Sequence, residues 1–212
     1  MSEPNFASMR TAMVESQLRT SDVSDVHVIE AMSHVPREAF VPAERQAMAY
    51  IDRPVPLAGG RSLNPPLATG RLLTEAAVKR GEKVLLVGAA SGYTAAVLSE
   101  MGAHVTALEE APIMAANDFL SNVSIVNGPL NAGHAAGAPY DVIIIDGAIE
   151  EVPSALVEQL ADGGRLTAGV IDKGMSRLAM GRKIHGAFGM QHIADIDMAA
   201  LPGFARPKTF VF

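Results

Sequence analysis

Two regimes of apolar and polar positions meet near residue 80. Before it the spacing is helical. Met9, Met13, Gln17 and Leu18 fall at helical intervals, and Val26, Ile29 and Met32 line one side of a second short helix. Ser24 or Asp25 can cap that helix and Pro36 ends it. Arg53 to Pro66 holds four prolines and two adjacent glycines, which reads as an ordered loop. Asn64 before Pro65 and Pro66 makes a helix start, with Asn64 as its N-cap and Ala68, Leu72, Leu73, Ala76 and Ala77 following. After residue 80, short β-rich runs alternate with helical stretches. The strands are Lys83–Val87, His104–Leu108, Val123–Val126, Asp141–Ile145 and Gly164–Ile171, with helices over Tyr93–Met101 and Pro153–Leu160. Such alternation predicts an α/β fold with a doubly wound, mostly parallel sheet. Arg177–Ala187 and Met190–Asp195 read as two strands joined at Phe188-Gly189, and Thr209–Phe212 as extended chain, giving an antiparallel C-terminal edge. The chain is expected to be one domain over residues 1–212, with a helical N-terminal addition (1–80) on an α/β core (81–212).

A chain of 212 residues with 49% hydrophobic content can build a core without staples. Cysteine is absent, which excludes disulfides, thiolate metal sites and cysteine nucleophiles. The six histidines show no metal-ligand spacing, and His34 and His134 read as solvated loop residues. No apolar run spans a membrane and the N-terminus lacks the pattern of a secretory signal, so a cytoplasmic protein without a membrane partner is expected. Net charge is −6 and unevenly spread: residues 81–170 hold two basic and eleven acidic groups. With no basic stripe and 5% aromatics, nucleic acid is not an expected partner.

The candidate chemistry lies where the first parallel strand ends. Gly88-Ala89-Ala90-Ser91-Gly92-Tyr93 forms a strand–turn–helix of small residues, a known way to bring backbone against a ligand. Glu109 ends the next strand, where a carboxylate can accept both hydroxyls of a ribose. Loop and acid together point to a nucleoside cofactor. The acidic, alanine-containing loop leans toward S-adenosyl-L-methionine over a diphosphate, which wants a helix N-terminus for its pyrophosphate. A nicotinamide-dependent oxidoreductase rests only on the strand–turn–helix. Ser91 is not a nucleophile elbow, because the preceding glycine is missing.

These motifs carry a resemblance. Val14–Arg19 (VESQLR), Val35–Pro42 (VPREAFVP), Ala49–Asp52 with Pro56-Leu57, and Val84–Leu98 (VLLVGAASGYTAAVL) resemble, in order, segments of protein-L-isoaspartate O-methyltransferases. The likeness runs from about Met13 to Leu166. It implies a Rossmann-like methyltransferase sheet, S-adenosyl-L-methionine as cofactor and a protein or peptide carboxylate as acceptor, methylated for protein repair. It also implies cofactor-side roles for Gly88, Ala89, Ala90, Ser91, Gly92, Tyr93, Glu109, Gly128 and Asp146, and acceptor-side roles for Arg61, Ser62 and Asn64.

The departures fall near those residues. The family's active-site loop, G-Q-T-[IV]-S-x-P, is here Gly60-Arg61-Ser62-Leu63-Asn64-Pro65-Pro66. Asn64 replaces a serine. Gly-Asp-Gly after the third strand becomes Asn127-Gly128-Pro129, and Thr-Ala-Ala after the fourth becomes Asp146-Gly147-Ala148. Each residue also has a plainer reading: Arg61 as an exposed loop charge, Asn64 as an N-cap, Asp146 as a helix cap, Glu109 as a solvated strand-end acid. A carboxylate acceptor is already ionised at neutral pH, so its methylation needs alignment more than acid–base help. The alternative is a differently specific or non-catalytic member of the family that binds a ligand or a protein partner.

Overall fold

The computed structural model describes residues 4–111 and 117–206. The extended segment expected at Thr209–Phe212 lies outside them. Helix α1 (Phe6–Met13) is capped by Asn5 and continues into one π turn, Val14–Leu18. Asp25 caps α2 (Val26–His34), its carboxylate accepting from the His27 and Val28 amides. His34 is therefore the last residue of a helix, not a loop residue, and its ring meets Glu100 at 3.3 Å. Two short strands, β1 (Val55–Pro56) and β2 (Ser62–Leu63), pair antiparallel within the proline-rich loop. Helix α3 (Pro66–Ala76) begins with proline at its first position. The residue at its N-cap is Pro65, and Asn64 does not cap it.

The sheet has seven strands: β3 (Lys83–Val87), β4 (His104–Glu109), β5 (Ser124–Asn127), β6 (Tyr140–Ile149), β7 (Leu160–Asp172), β8 (Met175–Ile184) and β9 (Ala187–Asp195). Their order is β5-β4-β3-β6-β7-β8-β9. Strands β3 to β7 run parallel, and β8 and β9 are antiparallel. This is the doubly wound sheet with an antiparallel edge that the pattern predicted. Helix α4 (Tyr93–Glu100) follows β3, and α5 (Ser154–Glu158) is a short crossover before β7.

The last hairpin differs from expectation. Its turn is His185-Gly186, both at positive φ (49° and 80°), and β7 joins β8 through Lys173-Gly174 in the same manner (51° and 82°). Two-residue turns with positive φ at both positions match the right-handed twist of paired strands. Phe188 and Gly189, expected at the turn, are inside β9 opposite Lys183 and Arg182.

One apolar cluster gathers Met13, Leu18, Met32, Leu72, Leu73 and Leu86 from the helical region and one sheet face. A second, on the other face, includes Leu85, Val87, Ile143, Ile145, Leu201 and Phe204. Arg165 of β7 ties α3 to the sheet. It donates to the last carbonyls of that helix, at Ala76 and Ala77, and pairs with Glu82 through two bonds of 3.0 and 2.7 Å. The strand order reverses between β3 and β6, with β4 on one side of β3 and β6 on the other. In open parallel sheets the crevice at such a reversal, outside the strand C-termini, is where ligands bind.

Candidate active site

The β3–α4 loop turns on three residues at positive φ: Gly88 (78°), Ala90 (50°) and Gly92 (97°). An alanine in that region is uncommon and stores strain. Here the conformation aims the Ala90 amide at Glu109, 2.7 Å from Oε2. Loop and acid, inferred separately from the sequence, are thus one hydrogen-bonded unit. The Gly88 and Ala89 amides are otherwise engaged, both donating to Leu108 O (2.9 and 3.1 Å). These two residues offer a ligand close-packed surface and not donors. The end of β5 joins the same unit, because the Gly128 amide and the Asn127 side chain both donate to Glu109 O (3.1 and 3.3 Å).

Glu109 is 1% exposed, so it is not a solvated strand-end acid. Its Oε1 accepts from the Glu110 amide at 3.0 Å, and its Oε2 also accepts from Arg61 Nη2 at 3.0 Å. Arg61 is not an exposed loop charge either, its side chain being 9% exposed. A methyl group built on Gly88 would lie 3.0 Å from a Leu201 methyl and 3.1 Å from Arg61 Nη2. Side chains from the β1–β2 loop and from the C-terminal segment therefore flank the space over the glycine.

Asp146 falls where β6 slips register against β7, between Ile144 and Ala148, and such a bulge re-aims side chains. It is 5% exposed and caps no helix. Asn64 Nδ2 donates to its carboxylate (2.8 Å) and to its carbonyl (3.0 Å), while Asn64 Oδ1 accepts from the Ala199 amide (2.9 Å). All of the amide's donors and one acceptor site are so used. Asn64 therefore pins the C-terminal segment and the end of the proline-rich loop to the end of β6. Burial pushes the Asp146 carboxyl above its ordinary value, against the opposing pull of Thr94, Asn64, Arg61 and Arg37. An acid held this way binds its proton more tightly folded than unfolded, so stability falls as pH rises from the unfolded value through the folded one. Asp146→Asn is therefore expected to match the parent near pH 3 and to be the more stable protein at neutral pH. Urea midpoints at both pH values check this, and a neutral-pH loss relative to the parent would refute it.

Ser62 is half-buried in β2, opposite Pro56. Ser91 lines a cavity of about 200 Å³ with Phe40, Val41, Leu57 and Ala58. Among the described residues its Oγ has no hydrogen-bond partner. The Tyr93 ring turns away from the loop into the core. It is 0% exposed, edge-on to Phe40 at 5.7 Å between centroids and 4.7 Å below the Arg37 guanidinium. Tyr93 shapes the loop from behind.

Arg37, within the VPREAFVP motif, is a site residue that periodicity and spacing do not reveal. It is 0% exposed and donates to Ala49 O (2.7 Å) and to Asn64 O, joining the β1–β2 loop to the helical region under Tyr93. An arginine fixed inside such an apolar motif was the available signal. Among the described residues no group of three His, Asp or Glu side chains is placed to hold a metal.

Comparison with known proteins bears on the family and the fold. The family model described as Protein-L-isoaspartate(D-aspartate) O-methyltransferase (PCMT) matches residues 8–201. A protein-L-isoaspartate O-methyltransferase of Koribacter versatilis is 34% identical over 205 residues, covering 93% of this chain and 92% of the relative. One from Methylorubrum populi is 40% identical over 163 residues, covering 74% and 77%. Among solved structures, a Plasmodium falciparum protein described as a protein-L-isoaspartate O-methyltransferase in complex with S-adenosyl-L-homocysteine superposes with a TM-score of 0.73 at 21% identity. It covers 94% of this chain and 99% of that one. That likeness speaks to the fold. The family match and the sequence relatives speak to descent, and on them the chain belongs to the protein-L-isoaspartate O-methyltransferase family.

Proposed function

We propose that this protein methylates the free carboxylate of an isoaspartyl residue in a protein or peptide, with S-adenosyl-L-methionine as donor. The observation that carries the reading is the Glu109–Ala90 unit: a carboxylate 1% exposed, fixed by a loop amide at 2.7 Å, at the point where the strand order reverses. A nucleoside fits it. The acid can accept ribose hydroxyls, and Gly88 presents bare backbone at the strand end, with the Leu201 and Arg61 side chains standing over it. When bound, the cofactor supplies a methyl group on a sulfonium, and transfer leaves S-adenosyl-L-homocysteine and a methyl ester.

The chain's own residues hold and exclude. Glu109 anchors the ribose. Gly88 to Tyr93 and Gly128 shape the wall on which the nucleoside lies. Asp146, pinned by Asn64, closes the end of β6. Arg61 and Ser62 supply acceptor-side polar groups, with Ser91 and the cavity beside it facing the acceptor. No residue need remove a proton, since the attacking oxygen is already anionic. The work is alignment and the exclusion of water. Residues 1–80 form the acceptor side and residues 81–212 the cofactor side of one domain. Among the described residues no helix is long and apolar enough to cross a membrane. A cytoplasmic address and a protein partner complete the reading.

The test is incubation of the purified chain with S-adenosyl-L-methionine and matched isoaspartyl and aspartyl peptides, read by mass spectrometry. Methyl ester on the isoaspartyl peptide alone is expected. No transfer to either peptide, together with no binding of S-adenosyl-L-homocysteine by calorimetry, would overturn the reading in favour of a non-catalytic family member.

A further inference from the structure

We propose that Arg61 is an exchangeable occupant of the ribose subsite: its guanidinium sits on Glu109 until a nucleoside displaces it, and then takes the acceptor's carboxylate. This rests on the cofactor reading above. Three observations lead to it.

The first is a count of acceptor sites. A carboxylate offers about four. Glu109 already accepts from the Ala90 amide, the Glu110 amide and Arg61. One site is left, and a ribose diol needs two. The two amides belong to the backbone of the loop and of β4's end and stay where they are. Only the Arg61 contact comes from a side chain, carried on the β1–β2 loop. Binding of the diol through both hydroxyls therefore requires Arg61 to leave.

The second is how loosely Arg61 is held. Among the described residues it makes one side-chain hydrogen bond, through Nη2, and its buried Nε has no partner. A guanidinium has five donors in a fork suited to a carboxylate. One bond is a poor fraction of that capacity. Arg37 also has a buried nitrogen, Nη1, without a partner among the described residues, but it is held by two carbonyls, Ala49 O and Asn64 O, and by the Tyr93 ring.

The third is the charge the acceptor meets. An anionic acceptor must approach a site that already holds buried acids at Glu109 and Asp146. It needs a cation close by. Arg61 is carried on the loop between Ala58, which lines the cavity beside Ser91, and Asn64. Released from Glu109, its fork is the compensating charge at the acceptor side. Glutamine, the usual residue at this place in the family's motif, could do neither job with a full charge. The exchange is thus a feature of this chain's own loop.

The experiment uses Arg61→Gln and Arg61→Lys in the full chain, each checked for a cooperative thermal transition. Calorimetric titration with S-adenosyl-L-homocysteine is expected to show Arg61→Gln binding at least fivefold tighter than the parent. In the transfer assay KM for an isoaspartyl peptide is expected to rise at least tenfold in the same variant, while KM for S-adenosyl-L-methionine falls. Arg61→Lys keeps the charge without the fork, so it should shift both quantities in the same directions by less. It also keeps the test available if the glutamine variant fails to fold. A merely structural arginine would worsen both constants together. Unchanged or weaker binding of S-adenosyl-L-homocysteine overturns the exchange while leaving the methyltransferase reading intact. Tighter binding with an unchanged peptide KM overturns the transfer of Arg61 to the acceptor. Failure of the parent and both variants to bind S-adenosyl-L-homocysteine removes the cofactor reading, and the exchange with it.

Discussion

Arg37→Ala is expected to cost about 5 kcal/mol of folding stability, the largest single effect among the site residues. Two losses add. The Ala49 and Asn64 carbonyls lose their donor inside the protein, at roughly 1–3 kcal/mol each. The vacated space under Tyr93 and Phe40 is a cavity that the surrounding helices cannot fully close. Burial already pulls the Arg37 pKa down from its ordinary value, so the guanidinium stays only because its partners repay desolvation. Arg37→Met refills much of the volume and leaves the carbonyls unpaired, so the gap between the two variants reports the cavity. Denaturant unfolding measures both. An alanine variant within about 1 kcal/mol of the parent would show that the loop does not depend on this residue.

Glu109→Gln carries the second large effect, and it has two separable parts. Affinity for S-adenosyl-L-homocysteine should fall at least tenfold, about 1.4 kcal/mol, because an amide cannot accept from two hydroxyls as a carboxylate does. Stability should also fall, by about 3 kcal/mol, since Arg61 is left buried without its counter-charge. Adding Arg61→Gln removes that stranded charge. The double variant should therefore regain much of the stability and none of the affinity lost with the carboxylate. A single variant with parental affinity would mean that Glu109 does not hold the ribose. A double variant no more stable than Glu109→Gln would mean that the ion pair is not the source of the stability loss.

The parallel half of the sheet was legible because strands buried on both faces read as unbroken apolar runs, as at Val84–Val87 and Val142–Ile145. The loop and Glu109 were legible for a similar reason, since strand-end positions follow from the strands. The hairpin turn was misplaced because Phe188-Gly189 and His185-Gly186 are both glycine-bearing pairs. His tolerates the positive φ that the turn needs better than Phe does, and the Phe188 ring instead lies over Gly181 across the strand pair. Arg61, Asn64 and Asp146 stood out in the sequence as site candidates, yet their partners were out of reach. Asn64 and Ala199 meet across most of the chain, and Asp146 is aimed by a bulge that no periodicity announces. Long-range polar pairing has no period, so Arg37 and its two carbonyls stayed hidden for the same reason.

The path of the C-terminal segment carries a consequence for how this sequence can change. Residues 199–201 run beside the end of β6, with Ala148 N donating to Ala199 O and Leu201 N to Ala148 O, both at 2.8 Å. That closeness depends on Gly147, where an added methyl would come within 2.5 Å of Leu201 Cγ and 2.8 Å of Ala199 O. The family's usual alanine at this place cannot coexist with Leu201 in its present seat. Alanine at 147 is therefore harmful on this background, and because one of its clashes is with backbone, shrinking Leu201 alone does not relieve it. A lineage passing to alanine must first shift the path of residues 199–201, so position 147 and the whole segment change together.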